Sequence, residues 1–344
     1  MNEKNIAKAL KAKLDDWMES IDDEKIVKII KENAIITGGA IVNLLNDEMP
    51  NDYDVYFKTH EAVVEIAKYY AHRWKEGDRI EIVENTDLFD LCNNVENGLC
   101  YDRIINNDFS NVPKEFIGKI NNLLHKKDKR VTMFIKSSGV IINEDESCID
   151  DETEPNYELS QIYETEPYTS ENKEEPTQPN PEITKPKYRP RYFSTNALSL
   201  SDKIQIIIRF YGSIEDIHKN YDYIHCTCSY DYETNKVNLP QKALISIINK
   251  ELNYEGSKYP LCSIIRSRKF IARGWKLNAG QYVKMALQLN ELNLKDLNVF
   301  KDQLTGVDSA YFNQAIDLII KKQKEDPYFT IDNNYLFEII NRIF

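Results

Sequence analysis

The stretch AIITGGAIVNLLNDEMPNDYDVYF, residues 34–57, decides how this chain folds. Its first four residues are apolar or β-branched and predict a short strand that ends at Gly38 and Gly39. The apolar residues that follow recur at helical spacing and predict a helix over 40–46. The segment 51–57 is rich in β-branched and aromatic residues and predicts a second strand. The stretch is therefore predicted to be a strand–helix–strand unit.

Two aspartates, Asp52 and Asp54, lie two residues apart on the second predicted strand. Alternate residues of a strand project to the same side, so both carboxylates are expected on one face. Oxygen ligands suit Mg²⁺, and two such ions stabilise the entering and leaving oxygens of a phosphoryl-type displacement. Paired glycines let the backbone approach a triphosphate, and the following helix offers free N–H groups. The pattern predicts a metal and triphosphate site; the alternative is a tight turn followed by a solvated strand edge.

These residues resemble the DNA polymerase β-like nucleotidyltransferase superfamily. Its signature is Gly-Gly or Gly-Ser, a helix, then Asp-x-Asp or Asp-x-Glu, which Gly38, Gly39, Asp52 and Asp54 match. The segments 199–212, 218–225 and 267–280 are in addition similar to nucleotidyltransferase-like proteins of bacterial viruses. The resemblance implies an enzyme that moves a nucleoside monophosphate from an NTP to a hydroxyl of RNA, protein or a small molecule. It also implies Mg²⁺ or Mn²⁺ as the cofactor, held by the two aspartates, and release of pyrophosphate.

Active members of that superfamily carry a third carboxylate on a later strand, where it activates the attacking hydroxyl or completes the metal cage. The matching strand is predicted at 203–210, and it offers Gln205 in that place. Asp222 is the candidate substitute and Glu81 a weaker second; the alternative role for Asp222 is to bond backbone after a helix over 214–220. Without a third carboxylate, the alternative function is a catalytically weak or inactive phage structural or interaction component that reuses the fold.

A basic cluster further along the chain contains Arg266, Lys269 and Arg273. At spacings i, i+3 and i+7 the three side chains share one helix face, which suits the phosphates of an NTP or of nucleic acid. Trp275 is expected to stack on a base. Lys203, at the start of the strand over 203–210, is a further candidate phosphate contact. The alternative is a basic helix face that pairs with an acidic segment or another domain.

Composition divides the chain into four parts. Residues 141–186 hold 14 Asp or Glu against two Lys, a balance of −12 that equals the net charge of the whole chain. This segment also carries six of the twelve prolines. The acidic charge and the prolines together predict an acidic, disordered-like insert. The parts 1–140 and 187–239 are predicted to form one α+β domain with a nucleotidyltransferase-type mixed β-sheet and flanking helices. Helical periodicity over 240–344 predicts a C-terminal all-helical domain.

Export and membrane insertion are not expected for this sequence. The segment MNEKNIAKALKAKLDDW at its start is charged and helix-periodic, and no run of about 18 apolar residues follows. The six cysteines lack the spacing of a zinc site. We therefore expect a cytoplasmic protein, in the host cytoplasm if phage-encoded, with virion association as the alternative. The expected partners are an NTP and RNA or a protein acceptor, and the oligomeric state is left open.

Overall fold

A computed structural model describes residues 1–73, 80–95, 99–110, 112–135, 141–142, 187–194 and 196–304. Apart from a two-residue strand at its start, the predicted acidic insert over 141–186 lies outside the described residues. The sequence also predicts helices over 308–323 and 333–343, and these lie outside the described residues too. What is described is a mixed α+β architecture with one large sheet.

One mixed sheet of eight strands organises the described part of the chain. The strands, in chain order, are β1 (Ala34–Thr37), β2 (Tyr53–Phe57), β3 (Ile80–Val83), β4 (Thr132–Ile135), β5 (Ile141–Ile142), β6 (Pro190–Phe193), β7 (Ala197–Leu200), β8 (Ile204–Ile207), β9 (Ser229–Asp231) and β10 (Lys236–Asn238). The large sheet has the order β10-β9-β1-β2-β8-β7-β6-β5, and β3 pairs with β4 separately. β2 and β8 are parallel, whereas every other neighbouring pair of these strands is antiparallel.

Helices cover the sheet and continue beyond it. They are α1 (Glu3–Glu19), α2 (Glu24–Asn33), α3 (Gly39–Leu45), α4 (His60–His72), α5 (Thr86–Asn94), α6 (Tyr101–Ile105), α7 (Lys114–Leu124), α8 (Ile214–His218), α9 (Gln241–Asn249), α10 (Pro260–Ala272), α11 (Ala279–Asn290) and α12 (Leu297–Leu304). A 3₁₀ turn occupies Ile224–Thr227. None of the described helices is both long enough and apolar enough to cross a bilayer.

The apolar side of α1 is part of the main hydrophobic core. Ile6, Leu10, Leu14 and Trp17 recur at helical spacing and are all 0% exposed. Burying each such side chain stabilises the fold by roughly 1.5–3 kcal/mol. The indole Nε1 of Trp17 donates a 2.7 Å hydrogen bond to the hydroxyl of Tyr70 on α4, so its polar atom is satisfied inside the core. The N-terminal helix is therefore an integral part of this core.

The strand–helix–strand unit predicted from residues 34–57 is present. β1 has the predicted bounds, α3 begins one residue before the predicted helix, and β2 begins at Tyr53, so Asp52 precedes the strand. The strand predicted over 203–210 is central, as its apolar run suggested, but β8 spans only Ile204–Ile207. One side of β8 is fully buried, and the other is partly covered by a smaller apolar cluster.

The sequence from Tyr192 to Leu200 predicts one strand, and this prediction is wrong, because the chain reverses within the segment. Ser194 closes a turn: its N–H donates to the Ala197 carbonyl at 2.8 Å, and its Oγ accepts from the Ala197 N–H at 3.0 Å. Serine side chains bond nearby backbone in this way and favour turns over continued strand. The result is the antiparallel pair β6–β7.

Helices dominate the described residues after 240, as predicted. Ala243, Ile247, Trp275 and Met285 from this part belong to the same hydrophobic cluster as the sheet residues. The boundaries between the four predicted parts of the chain stay predictions. The α+β class is confirmed, whereas a nucleotidyltransferase-type assignment of the sheet is not confirmed.

Candidate functional site

The candidate site lies at one end of the central strands of the large sheet, where β1 ends and β2 begins. We call this end of the strands the sheet edge. Gly38 follows β1 with φ +92° and ψ −143°, a conformation that side chains rarely adopt. A Cβ atom at this position would stand 3.4 Å from Oδ2 of Asp54 and 3.7 Å from the hydroxyl of Tyr221. The Asp54 carboxylate therefore lies close to the Gly38 backbone, and the positive φ requires glycine there.

Gly38→Ala should lower the free energy of unfolding by roughly 1–3 kcal/mol, the usual cost of a strained backbone conformation. Gly39→Ala is the matched control, because a Cβ there meets nothing within 4 Å and its φ is not positive. Urea unfolding of both variants measures the difference. Equal stability of the two variants would contradict the assigned role of Gly38.

Neutral hydroxyl and imidazole groups surround Asp54 on this face. Thr37 Oγ1 lies 2.8 Å from Nε2 of His218, and the ring of His218 lies 5.1 Å from that of Tyr221. Burial lowers the pKa of His218, which keeps it uncharged at neutral pH. Burial, and after it the charge of Asp54, raises the pKa of Tyr56, and burial raises that of Tyr221. Both phenols stay protonated beside the carboxylate.

Three of these groups, His218, Tyr56 and Tyr221, were not predicted from the sequence. Tyr56 could have been found, since it lies two residues after Asp54 on the same strand and so on the same face. His218 and Tyr221 come from α8 and the turn after it, more than 150 residues away in the chain. No local pattern indicated that contact.

Asp222, the candidate third carboxylate, is engaged in an ion pair. Its Oδ2 accepts a 2.6 Å hydrogen bond from Nη1 of Arg266 on α10, and its side chain is 7% exposed. Its backbone carbonyl accepts from the N–H of Glu255 at 3.0 Å. Two residues predicted to serve separate functions, a catalytic carboxylate and a phosphate-binding cation, thus neutralise each other.

The remaining predicted residues divide between this edge and other places. The parallel register places Gln205 of β8 directly beside Asp54. Lys203 is next to the segment that carries Asp52, because its Nζ donates to the Pro50 carbonyl at 3.3 Å. Glu81 lies on β3 in the separate two-stranded sheet. The structure therefore brings Lys203 and Gln205 to the aspartates but not Glu81.

The basic cluster on α10 is also divided. Lys269 and Arg273 are exposed, whereas Arg266 turns inward to Asp222. Trp275 is 8% exposed, with its ring 4.2 Å from that of His225 and 6.2 Å from that of Phe270. This corrects the expectation that Trp275 stacks on a base, because its indole is enclosed in an aromatic cluster.

No third carboxylate joins Asp52 and Asp54 among the residues described at this edge. Across the described ranges, no group of three His, Cys, Asp or Glu side chains is placed to hold a metal ion. Asp222 is bound to Arg266, and Gln205 supplies a neutral amide where an acid is needed. Binding of Mg²⁺, Mn²⁺ or an NTP by Gly38, Gly39, Asp52 and Asp54 stays a prediction.

Comparison with known families decides between the two functions that the sequence left open. The family described as Gad2, "Gabija anti-defense 2 family protein", matches residues 8–250. The chain belongs to this family. A protein named "Gabija anti-defense 2" from Bacillus phage SPbetaL7 is 19% identical over 152 residues, which are 40% of this chain and 37% of that relative. The match therefore covers well under half of the relative's length. No solved structure matches the chain.

Membership of the Gad2 family corrects the nucleotidyltransferase interpretation. The expected superfamily, the expected transfer of a nucleoside monophosphate and the expected enzyme class are all wrong, because the matching family is an anti-defence family. Gly-Gly followed by Asp-x-Asp is a short signature. The resemblance to nucleotidyltransferases depended on this signature, and the third carboxylate of that superfamily was not part of the match. The phage part of the expectation is supported, since the relative comes from a phage.

Proposed function

We propose that this chain is a phage anti-defence protein that counters Gabija by binding one of its components. The match of the Gad2 family to residues 8–250 carries this proposal. The printed name of the Bacillus phage relative supports it. The proposed place of action is the cytoplasm of the infected host.

The geometry of the candidate site favours binding over catalysis. Asp222 is paired with Arg266, and the groups around Asp54 are held in their neutral forms. General base catalysis needs a group whose pKa lies near the working pH and that reaches the reacting proton. Asp222 is not free to reach such a proton, because its carboxylate is bound by Arg266 in the described structure. The alternative function named above, a non-catalytic phage interaction component, therefore fits better.

Expression of the chain in cells that carry Gabija should restore plaque formation by a Gabija-sensitive phage. The proposal further expects the Asp52→Asn/Asp54→Asn variant to protect as well as the wild type, because binding does not require metal-bound carboxylates. The measurement is the efficiency of plating on cells with and without Gabija, at matched expression levels. Cells that carry the empty vector set the baseline.

Two outcomes would count against this proposal. Absence of protection by the well-expressed wild type would remove the anti-defence function. Protection that disappears in Asp52→Asn/Asp54→Asn, while its circular dichroism and melting temperature match the wild type, would show that the carboxylates act chemically and would remove the binding mechanism.

A further inference from the structure

Helices α10 and α11 and the connection between them, residues 260–290, form a strongly basic unit that we call the basic hairpin. It contains Arg266, Arg268, Lys269, Arg273, Lys276 and Lys284 and no Asp or Glu, in a chain whose net charge is −12. The two helices pack against each other. Such a local excess of one sign in a chain of opposite net charge creates a field that attracts acidic partners.

Helix α11 carries an exposed apolar stripe. The stripe consists of Ala279, Tyr282, Val283, Ala286 and Leu287, whose spacings of i, i+3, i+4, i+7 and i+8 place them on one side of the helix. The three large side chains, Tyr282, Val283 and Leu287, are 47%, 57% and 65% exposed. A surface helix ordinarily turns this kind of face inward, so its exposure indicates an interaction site.

The inward side of α11 is already occupied. Met285 is 0% exposed and belongs to the main core. Gln288 accepts a hydrogen bond from the hydroxyl of Tyr254 and donates to the Ser257 carbonyl. The helix is therefore held by a mixed polar and apolar side. The apolar stripe is not needed for this attachment.

Exposed cations lie on α10, which packs against α11, and in the connection that leads to the stripe. Arg268, Lys269, Arg273 and Lys276 are exposed and take part in no ion pair within the described part of the chain. Arg266 differs, because it is bound to Asp222. Lys284 also differs, because its Nζ donates to the Tyr254 carbonyl at 3.1 Å. We call the four exposed cations the basic rim.

We propose that the apolar stripe and the basic rim dock a protein whose surface places acidic side chains around an apolar centre. Protein–protein interfaces have such an apolar centre, often with aromatic and arginine side chains, inside a polar rim. Nucleic-acid interfaces are more polar, and the aliphatic side chains of the stripe have no counterpart in a phosphate backbone. The inference rests on the proposed function, since the partner it names is a Gabija component. The stripe lies beyond residue 250, outside the part matched by the family.

The test compares two surface variants of the full chain with a matched control. Val283→Asp/Leu287→Asp removes the apolar stripe, and Lys269→Glu/Arg273→Glu reverses part of the rim. Met49→Asp changes a side chain that is 78% exposed in the loop before β2 and serves as the control. Association rates and affinities for each purified Gabija protein are measured at two salt concentrations. The milder Tyr282→Ala/Leu287→Ala covers the case in which the aspartates disturb folding.

We expect the stripe variants to weaken binding by about 30-fold or more, as loss of central interface residues does. The rim variant should lower the association rate and reduce its salt dependence. Met49→Asp should bind like the wild type. Unchanged affinity in folded stripe variants overturns the docking surface. A wild type that protects cells from Gabija and yet binds none of its proteins overturns it too, but leaves the anti-defence function standing.

Three other occupants give distinct results that also overturn the proposal. A wild-type dimer that the stripe variants dissociate, with unchanged partner binding, would place a second copy on the stripe. Binding of duplex DNA or RNA that only the rim variant loses would make this a nucleic-acid surface. Resistance of Lys269 and Lys276 to acetylation in the free monomer would show that the chain itself covers the face. Failure of the wild type to protect cells would instead remove the proposed function.

Discussion

Arg266→Met is expected to lower the free energy of unfolding by about 3 kcal/mol, because it leaves a buried carboxylate without its cation. The Asp222 side chain is 7% exposed and its partner Arg266 36% exposed, with 2.6 Å between Oδ2 and Nη1. Removing one member of a buried pair costs roughly 3–5 kcal/mol, and the partial exposure of Arg266 places this pair at the lower end. Urea unfolding followed by circular dichroism measures the change.

Arg268→Met is the control for Arg266→Met, since Arg268 is an exposed arginine on the same helix. It should change stability by no more than a few tenths of a kcal/mol. Adding Asp222→Asn to Arg266→Met should recover part of the loss, because the amide carries no charge that needs a partner. The assigned role of the ion pair is contradicted if Arg266→Met and Arg268→Met are equally stable. It is also contradicted if Asp222→Asn/Arg266→Met is less stable than Arg266→Met.

The same ion pair joins the two regions to which a function is assigned. Asp222 lies one residue after Tyr221, whose hydroxyl is close to Gly38, and Arg266 lies on α10 of the basic hairpin. A pair whose members are 44 positions apart in sequence therefore links the sheet edge to the docking surface. Arg266→Met is consequently expected to weaken binding of the partner proposed for the basic hairpin as well.

Local sequence patterns predicted the parts of the fold that local forces determine. The buried apolar side of α1 and the unit of β1, α3 and β2 follow from the spacing of apolar residues alone. The turn at Ser194 was missed because a short polar interruption in an apolar run allows either a strand or a hairpin. The pairing register decides between them, and register depends on partner strands elsewhere in the chain.

The candidate site was only partly predictable, for a different reason. Gly38 and Asp54 are near each other in the chain, and their pattern predicted that they meet at one edge of the sheet, as they do. The state of Asp222 depends on Arg266, and no spacing rule relates the two positions. A motif fixes which groups are present, whereas function depends on how distant groups complete or neutralise them. The nucleotidyltransferase interpretation failed at this second step.

Acidification should destabilise the protein through His225, which is 1% exposed. Its ring lies 4.2 Å from that of Trp275 and 4.7 Å from that of Phe270, its Nδ1 has no hydrogen-bond partner, and its Nε2 is 3.2 Å from Sγ of Cys226. Burial among these groups lowers the pKa of His225 to about 3. Burial in this apolar surrounding disfavours an imidazolium ion, so the folded state holds the ring neutral.

The direction of the effect follows from proton linkage. The unfolded chain binds a proton at the ordinary histidine pKa of about 6.5, whereas the folded chain resists it down to about 3. The free energy of unfolding is therefore unaffected by His225 above about pH 6.5 and falls as the pH drops below it. Between about pH 6.5 and about pH 4.5 the loss should be roughly 2–3 kcal/mol, at 1.36 kcal/mol for each pH unit.

His225→Phe isolates this contribution, because phenylalanine is similar in shape and cannot be protonated. Urea unfolding of both proteins at about pH 7 and about pH 4.5 gives two differences in free energy, and their subtraction removes His218 and the carboxylates, which titrate in both. We expect the wild type to lose roughly 2–3 kcal/mol more than the variant over this range. An equal loss in the two proteins would mean that the folded state accommodates the imidazolium, which the aromatic enclosure of His225 argues against.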